Sequence, residues 1–392
     1  MGLIIGNLGD NLLPTDVKDA LDISVPMYGV KFDGVNAQGI RTYGAAGMSW
    51  QPSTNTVAGV DDFKDVAPFK VRECCRVWDS TQSKATYYYK DNYTDTEWQT
   101  VRNGTHATIK GDILIEIPKF YYKRPSKYEF IVAPKYKSGF KLAPCFHHQS
   151  GDKDCVRVTK YNIGSGYVSR SGVATLANTT MDTFRTGLRN KGMNMMDYAT
   201  YYSLMILMLV KYANMDSQAT VGYGYAEGQH TYNAGNADNV LGLDGSASGL
   251  GVNNAVLAMG IENFWGNVWK FLDGMYGYNG NIYIKDVETV SKNPTTVAEL
   301  SEYTKVATTY PTNMGQSSIG DVAFDTDNDY LMFATATGSL PCNDKAWSAS
   351  TLDCVHVGGD AWNGSGAGLF TFGVYISVGL SSVNYGALGL DF

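Results

Sequence analysis

The C-terminal segment, residues 367–392, limits what this chain can fold into more than any other stretch. Its one charged residue is Asp391, and apolar side chains alternate with small or polar ones from Phe370 to Leu380. Alternation with a period of two residues is typical of a β-strand that buries one face. The segment is therefore either a core strand of a sheet or a nearly uncharged surface that faces a partner.

The composition indicates a globular, loop-rich β protein that carries the residues of a recognition surface. The chain has 392 residues, which predicts two or three domains with a large core. It is short of charge, at 18% charged residues, and rich in Tyr and Gly, with 27 and 43 copies. Tyr, Gly, Ser and Asn are the residues of binding loops, because Tyr offers a large contact area at a low cost in side-chain entropy.

Charge and hydropathy argue against nucleic acid and membrane insertion. The formal net charge is −7 and Lys and Arg form no run, whereas phosphate binding needs clustered positive charge. The longest apolar stretch, 201–210, is too short to span a bilayer and predicts a buried helix. The N-terminus lacks the pattern of a secretory signal, so the six cysteines are expected to be reduced thiols.

The order of the predicted elements indicates an α+β fold. Residues 1–27 are expected to form an arm or linker, and residues 28–110 a small β-rich mounting module, since short alternating runs are separated by Gly, Asn and Asp. Strands, then two helices, then loops and late strands are expected in 111–392, an order unlike alternating βαβ units. Residues 216–259 predict a long loop of the kind that is usually functional or mobile.

Two motifs in the C-terminal half resemble those of a known fold family. GNVW at 266–269, followed by Phe271, resembles the G-N-V-W-E-W signature of formylglycine-generating enzymes, a branch of the C-type lectin fold. GGDAWNGSGAGLF (358–370) with SSVNYGAL (381–388) resembles the closing segment of diversity-generating retroelement variable proteins and related phage tail-tip proteins. The resemblance covers roughly 111–392. It implies a C-type-lectin-like ligand-binding domain of the formylglycine-generating-enzyme type, with a variable-type segment at 358–392, behind a small all-β module.

Two departures bear on what this resemblance implies. The family has Arg after its Gly-Ala pair, whereas this chain has Leu388 and an extra Gly389, which puts the register of the last strand in question. Catalytic members need a cysteine pair near this block, but Cys342 and Cys354 precede it and lie twelve residues apart. A thiol catalyst needs a thiolate held close to its partner. We therefore expect no catalysis and no cofactor, with a formylglycine-generating-like oxidase as the alternative.

The residue alphabet of the C-terminus agrees with diversification by a retroelement. In such proteins the adenines of AAY codons are randomised, which never yields Lys, Glu, Gln, Met or Trp. After Lys345 the chain has no Lys, Glu, Gln or Met, and the one Trp after Trp347 falls on a scaffold position of the family. A buried strand pair would also exclude long charged side chains, so a related tail lectin without diversification is the other interpretation.

The resemblance divides the segment into packing positions and candidate ligand contacts. The packing or turn positions are Trp362, Gly368, Leu369, Phe370, Phe372, Val374, Ser377, Gly386 and Ala387. The candidate ligand-binding residues, on an exposed surface within 360–385, are Asp360, Asn363, Ser365, Thr371, Gly373, Tyr375, Ile376, Gly379, Leu380, Ser382 and Val383. Apolar anchors are expected at Tyr375, Ile376 and Leu380. Adaptable hydrogen bonds are expected from Asp360, Asn363 and Ser382.

Two other clusters were weighed as metal sites. Asp325, Asp327 and Asp329 alternate as at the start of a calcium loop, but the loop lacks its sixth-position Gly and twelfth-position Glu, which favours a plain acidic turn. His147 and His148 lie near two cysteines and two aspartates at spacings that match no closed site. No metal site is therefore expected.

The sequence as a whole predicts a non-catalytic ligand- or receptor-binding protein. The resemblance implies a phage tail-tip adhesin or a retroelement-diversified variable protein, located on a virion tail or another cell-exterior assembly. The implied partners are a host-surface protein or glycan and other tail or particle proteins, with a homotrimer as the implied assembly. A purely structural tail component is a further alternative.

Overall fold

The structure is a computed structural model that describes residues 24–306, 317–318, 321–324, 332–335 and 340–392. Its described helices are α1 (Asp95–Arg102), α2 (Met181–Arg189), α3 (Tyr198–Tyr212) and α4 (Ser217–Thr220). Its described strands are β1 (Tyr28–Lys31), β2 (Ile40–Tyr43), β3 (Arg72–Asp79), β4 (Lys84–Tyr89), β5 (Asp112–Pro118), β6 (Tyr121–Ser126), β7 (Glu129–Ala133), β8 (Lys141–Leu142), β9 (Cys155–Thr159), β10 (Asn194–Met195), β11 (Gly245–Ser246), β12 (Val256–Ala258), β13 (Ile261–Glu262), β14 (Trp269–Tyr278), β15 (Asn281–Ile284), β16 (Thr304–Val306), β17 (Ser317–Ser318), β18 (Asp321–Phe324), β19 (Met332–Thr335), β20 (Lys345–Ser348), β21 (Asp353–Val357), β22 (Phe372–Ser377), β23 (Tyr385–Gly386) and β24 (Gly389–Asp391).

Three larger sheets organise these strands, and most of the pairings are antiparallel. The first sheet has the order β2-β1-β7-β6-β8 and the second β10-β24-β9-β5-β3-β4. The third has the order β16-β15-β14-β21-β22-β20-β17, with β23 pairing in parallel with β14. A sheet-rich chain with a few helices grouped in its middle matches the α+β class expected from the sequence.

The predicted boundary at residue 110 does not separate two sheets. Strand β1 pairs with β7, and β3 pairs with β5, so the first two sheets each draw strands from both sides of it. Residues 28–110 therefore do not form a self-contained β module in this structure. Of the predicted arm at 1–27, residues 1–23 lie outside the described residues.

The apolar run 201–210 forms the buried helix that the sequence predicts. Helix α3 begins after Asp197, whose side chain accepts a hydrogen bond from the Thr200 N–H at 2.8 Å, and it ends at Ala213 in the left-handed conformation. All of its residues except Ala199 are buried. It contacts β1, β7 and β14, so it joins the first and third sheets through one apolar core.

The C-terminal segment contains a core strand followed by an exposed loop. Strand β22 lies between β21 and β20 inside the third sheet, and Phe372, Val374 and Ile376 are buried there. The chain then leaves the sheet at Ser377, which is exposed, and returns at β23. The extra Gly389 begins β24, which pairs with β9 and β10.

A buried ion pair fixes α3 to the loops beside it. The ammonium group of Lys211 lies 2.7 Å from Asp244 and 2.8 Å from Asp61, and the Lys211 side chain is almost completely buried. Asp244 also accepts a hydrogen bond from the Tyr212 hydroxyl and from the Met259 N–H. Each charge is thus compensated inside the protein, which is the condition for tolerating a buried charge.

Replacing Lys211 alone is expected to destabilise the protein strongly. Lys211→Met should lower the free energy of unfolding by about 3–5 kcal/mol, because Asp244 would stay buried without its cation. The matched control is Lys285→Met, whose ammonium pairs with the exposed carboxylate of Glu302 at 3.0 Å and should cost less than about 1 kcal/mol. Urea unfolding followed by circular dichroism measures both, and equal losses would contradict this role of Lys211.

Candidate functional site

The two motifs that carry the family resemblance meet in the folded chain. The Gly266 N–H donates to the Gly358 carbonyl at 3.0 Å, and the Trp269 N–H donates to the Asn384 carbonyl at 2.7 Å. Two stretches that lie about 90 residues apart in sequence thus form one framework beneath the surface. Two exposed loops of the C-terminal segment extend from this framework: residues 362–365, called the Trp362 loop, and residues 377–384, called the Ser382 loop.

The predicted ligand contacts divide into an outer and an inner group. Ser365, Gly379 and Val383 are exposed, and Asn363, Tyr375, Leu380 and Ser382 are half-buried. Asp360, Thr371, Gly373 and Ile376 are buried. The expectation that this second group faces a ligand is wrong for the structure described here.

Each buried residue of the inner group has a structural task. The Thr371 side chain is 0% exposed, and its hydroxyl donates to the Gly366 carbonyl at 2.7 Å. Ile376 lies opposite Cys354 in the β21–β22 pairing. Gly373 lies opposite His356, whose imidazole fills the space where a side chain would stand. These residues build the support and cannot touch a ligand without unfolding it.

Trp362 differs from this inner group, because the sequence predicted a packing position there and the structure exposes the side chain. Its side chain is 68% exposed. The backbone N–H donates to Asp360 Oδ1 at 3.0 Å, and the indole N–H donates to the Gly228 carbonyl at 3.2 Å. The ring also packs edge to face with His230, with centroids 4.4 Å apart. Trp362 is therefore a surface residue held in a fixed orientation.

Asp360 is the buried carboxylate that joins three surface loops. Its Oδ2 accepts a hydrogen bond from Asn384 Nδ2 at 2.6 Å and lies 3.2 Å from His230 Nε2, while its N–H donates to Asn363 Oδ1 at 2.7 Å. With the bond from the Trp362 N–H, it links the Trp362 loop, the Ser382 loop and a third loop at 226–232, called the His230 loop. Hydrogen bonds to a buried charge are the strong ones, so Asp360 fixes the spacing of all three.

Further backbone contacts attach the Trp362 loop to the His230 loop. The Gly364 N–H donates to the Ala226 carbonyl at 2.8 Å. Asn253 accepts from the N–H groups of Ala226 and Glu227 at 2.9 and 3.2 Å. The loops are thus held by backbone hydrogen bonds together with side-chain ones, among them those of Asn363 and the Trp362 indole.

An aromatic layer supports the sheet side of this surface. His356 is completely buried and packs edge-on against Trp269, Tyr375 and Tyr385, with centroids 4.6 to 5.1 Å apart. Burial lowers the pKa of His356 to about 3, although the Cys354 carbonyl and the charge of Asp360 act to raise it. The imidazole is therefore neutral at physiological pH. Tyr375 is half-buried above it, and its hydroxyl lies 3.3 Å from that of Tyr385.

Another carboxylate, Glu262, anchors the chain that follows the His230 loop. Its oxygens accept hydrogen bonds from the N–H groups of Gly235 and Ala237 at 2.9 to 3.2 Å. Burial, and then the charge of Asp238, raise the pKa of Glu262 to about 7, against the effect of those backbone donors. This anchor therefore changes its charge near neutral pH.

The cysteines do not have the environment of a thiol catalyst. All six are free, and Cys354 is buried in the third sheet. Burial raises the pKa of both Cys342 and Cys354. A raised pKa keeps a thiol protonated, whereas catalysis needs the thiolate. The geometry thus gives no support to the oxidase alternative.

The side chains around His147 and His148 do not converge on one point among the residues that the structure describes. His147 pairs with Asp152 at 2.8 Å, whereas His148 contacts the Cys145 carbonyl at 2.9 Å and lies near Asp286. No group of three or more His, Cys, Asp or Glu side chains in the described ranges is placed to hold a metal ion. The acidic stretch Asp325 to Asp329 lies outside those ranges.

Two described cavities, of about 440 and 930 Å³, lie away from the three loops, since no residue of the Trp362, Ser382 or His230 loop lines either one. No helix in the described part of the chain combines the length and apolar character needed to cross a bilayer.

The contribution of the His230 loop is not evident from the sequence. His230 lies about 130 residues before Asp360 in the chain, yet it lies at the Asp360 junction. The available signal was the richness of 216–259 in Gly, Asn, Asp and Ser, which marked the region as functional without saying what it joins.

Comparisons with known proteins give distant structural similarities only. No family model matches the sequence, and no curated protein matches it. Among solved structures, the Major Tropism Determinant U1 variant aligns at 10% identity over 81% of this chain and 71% of that chain, with a TM-score of 0.30. The P3c variant aligns at 9% identity over 94% and 83%, with a TM-score of 0.32. Similarities at this level establish no shared function, so the proposal below rests on the loops.

A matched pair of glycines tests the division into support and surface. A Cβ at Gly373 would lie 2.2 Å from His356 Nε2, whereas a Cβ at Gly379 would meet no atom within 4 Å. Gly373→Ala should lower the free energy of unfolding by about 1–3 kcal/mol through overpacking. Gly379→Ala should change it by less than about 0.5 kcal/mol. Thermal unfolding of the two variants measures this, and a stable Gly373→Ala protein would contradict the described packing.

The anchor at Glu262 predicts a specific pH dependence of stability. Its pKa of about 7 exceeds the usual 4.5, so folding favours the protonated form. The contribution of this protonated carboxyl to the stability of the fold is fully present below pH 4.5 and is lost as the pH rises through 7. Relative to Glu262→Gln, the wild type should lose about 3 kcal/mol of unfolding free energy between those values. Denaturant unfolding at a series of pH values measures this; parallel curves for the two proteins would refute the shift.

Proposed function

We propose that this chain is a non-catalytic receptor-binding protein and that its contact surface is formed by the Trp362, Ser382 and His230 loops. In this proposal it serves as a phage tail-tip adhesin that attaches a particle to a host cell. The observation that carries the proposal is the junction at Asp360, where one buried carboxylate fixes three exposed loops from beneath. The central group of this junction, Asp360, is itself buried beneath the proposed contacts.

This arrangement favours binding because the cost of ordering the loops is met during folding. A pre-ordered surface loses less conformational entropy when a partner docks, and more of the contact energy appears as affinity. The proposed contacts are the outward residues of the loops and the half-buried edge of the sheet. They are Glu227, Gln229, Trp362, Asn363, Ser365, Tyr375, Gly379, Leu380, Ser382 and Val383.

Diversification by a retroelement is compatible with part of the C-terminal segment. Open positions such as Ser365, Gly379 and Val383 accept other side chains without disturbing the support. Thr371 and Gly373 do not, since both are sealed within the framework. We propose that exchange, if a retroelement acts here, is concentrated at the open positions of the two loops.

Several copies on one particle would strengthen attachment. We expect a single copy of this loop surface to bind weakly, because its residues line neither of the two described cavities. Tethering copies to one particle turns later binding steps into intramolecular ones and raises the total strength. Other particle proteins and a homotrimer stay proposals drawn from the family resemblance.

Charge placed on the open positions should abolish attachment and leave the fold intact. We expect the triple variant Ser365→Asp, Gly379→Asp, Val383→Asp to lose at least about tenfold in binding, with a melting temperature within about 2 °C of wild type. The measurement is flow cytometry of the labelled protein on a panel of bacterial strains.

A second triple variant at exposed apolar positions elsewhere is the control: Val35→Asp, Tyr136→Asp, Val297→Asp. It should bind like the wild type. Equal binding by both triple variants, or a wild type that binds no strain, would refute the proposal and favour a purely structural tail component.

A further inference from the structure

The exposed ring of Trp362 is the unusual feature of the proposed surface. It is the one tryptophan among the exposed large apolar side chains of the described residues, at 68% exposure. Leaving an indole in water forfeits the burial energy that would stabilise the fold. Three contacts nevertheless hold it in place: the Asp360 and Gly228 hydrogen bonds and the edge of His230. A ring that is both exposed and rigid is suited to stacking against a ligand.

The groups around this ring are polar. Glu227 and Gln229 in the His230 loop are exposed, as is Ser365 in the Trp362 loop. The Tyr223 hydroxyl donates to Glu227 Oε1 at 3.1 Å. A Cβ on Gly364 would lie 3.6 Å from that hydroxyl and 4.0 Å from Glu227 Oε1, so both groups reach the Trp362 loop.

Carbohydrates match this combination of one aromatic face and a polar rim. One face of a sugar ring presents several C–H groups, which are attracted to the negative face of an indole. The rim of the ring carries hydroxyls, which are donors for a carboxylate and partners for hydroxyl and amide groups. An indole that anchors a protein interface usually sits among residues that close around it and exclude water. Here the contacts of Trp362 are with Asp360, Gly228 and His230.

The charge of the proposed surface favours neutral sugars over anionic ones as the ligand. The His230 loop and residues 360–365 contain no Lys or Arg, and their acidic residues are Glu227 and Asp360. The carboxylate of a sialic or uronic acid would find no Lys or Arg within these two stretches and would face Glu227 instead. The whole chain is also acidic, at −7, which disfavours anionic ligands at long range.

The geometry points to a neutral glycan as the ligand, with one sugar ring stacked on Trp362 and its hydroxyls bound by Glu227. This inference rests on the proposed function and specifies its ligand class. Trp362 supplies the stacking face, Glu227 accepts hydroxyl hydrogen bonds, and Tyr223 orients Glu227.

The test is a glycan array that carries neutral hexose, deoxyhexose and N-acetylhexosamine oligosaccharides beside sialylated and uronic acid ones. Wild type should bind neutral members only. Trp362→Ala should weaken this binding about tenfold or more, the loss of one stacked ring. Trp362→Phe keeps an aromatic face and should retain most of the binding, which separates stacking from misfolding. Glu227→Gln should weaken binding, and Val297→Ala, at an exposed position outside the loops, should leave it unchanged.

Treated cells separate a failure of this inference from a failure of the proposed function. Periodate cleaves the vicinal diols of glycans, and protease removes surface proteins. Binding that periodate abolishes and protease spares agrees with the glycan. Loop-dependent binding that survives periodate but not protease makes the ligand a protein, which overturns the inference and leaves the proposed function standing. The inference is also overturned if the wild type binds no neutral glycan on the array, or if the binding persists in Trp362→Ala.

Discussion

The exposed surface of this protein depends on the desolvated carboxylate of Asp360. A buried charge is costly unless donors compensate it, and here the donors come from the Trp362 loop, from Asn384 and from His230. Because the cost returns if any of them moves away, the carboxylate holds three loops in one arrangement. Lys270 lies near Asp360. Burial lowers the pKa of this lysine well below its usual range, although the charge of Asp360 acts to raise it. The low dielectric of these buried surroundings strengthens the hydrogen bonds of Asp360.

The same principle fixes the framework below the loops. Arg185 and Asp273 form a buried pair at 2.6 Å between α2 and β14, and Arg76 pairs with Asp391 at 3.0 Å, which ties the C-terminal strand to β3. Such pairs add little net stability, but they penalise alternative arrangements in which one partner is left alone. A framework specified in this way lets the outer side chains vary, which is what an attachment protein requires.

The uncharged C-terminus illustrates how one sequence pattern can have two causes. Residues after Lys345 lack Lys, Glu, Gln and Met, as retroelement diversification would leave them. In the fold, this segment supplies strands β21 to β24, whose buried positions would exclude long charged side chains in any case. Burial explains the absence of long charged side chains at Thr371 and Gly373. Ser365 and Gly379 are exposed, so burial does not explain that absence there.

The sequence by itself predicted the local structure: the apolar run at 201–210 indicated a buried helix, and the alternation from Phe370 to Leu380 indicated a strand, which forms at Phe372–Ser377. The tertiary structure decided which faces are covered. Periodicity assigns Thr371 and Phe372 to opposite faces of a strand, but it cannot tell that neighbouring elements bury both. For the same reason Trp362, apolar in type, stands in water, since what covers or frees it is the fold of the distant His230 loop. Exposure is a property of three-dimensional neighbours, and these neighbours are remote in sequence.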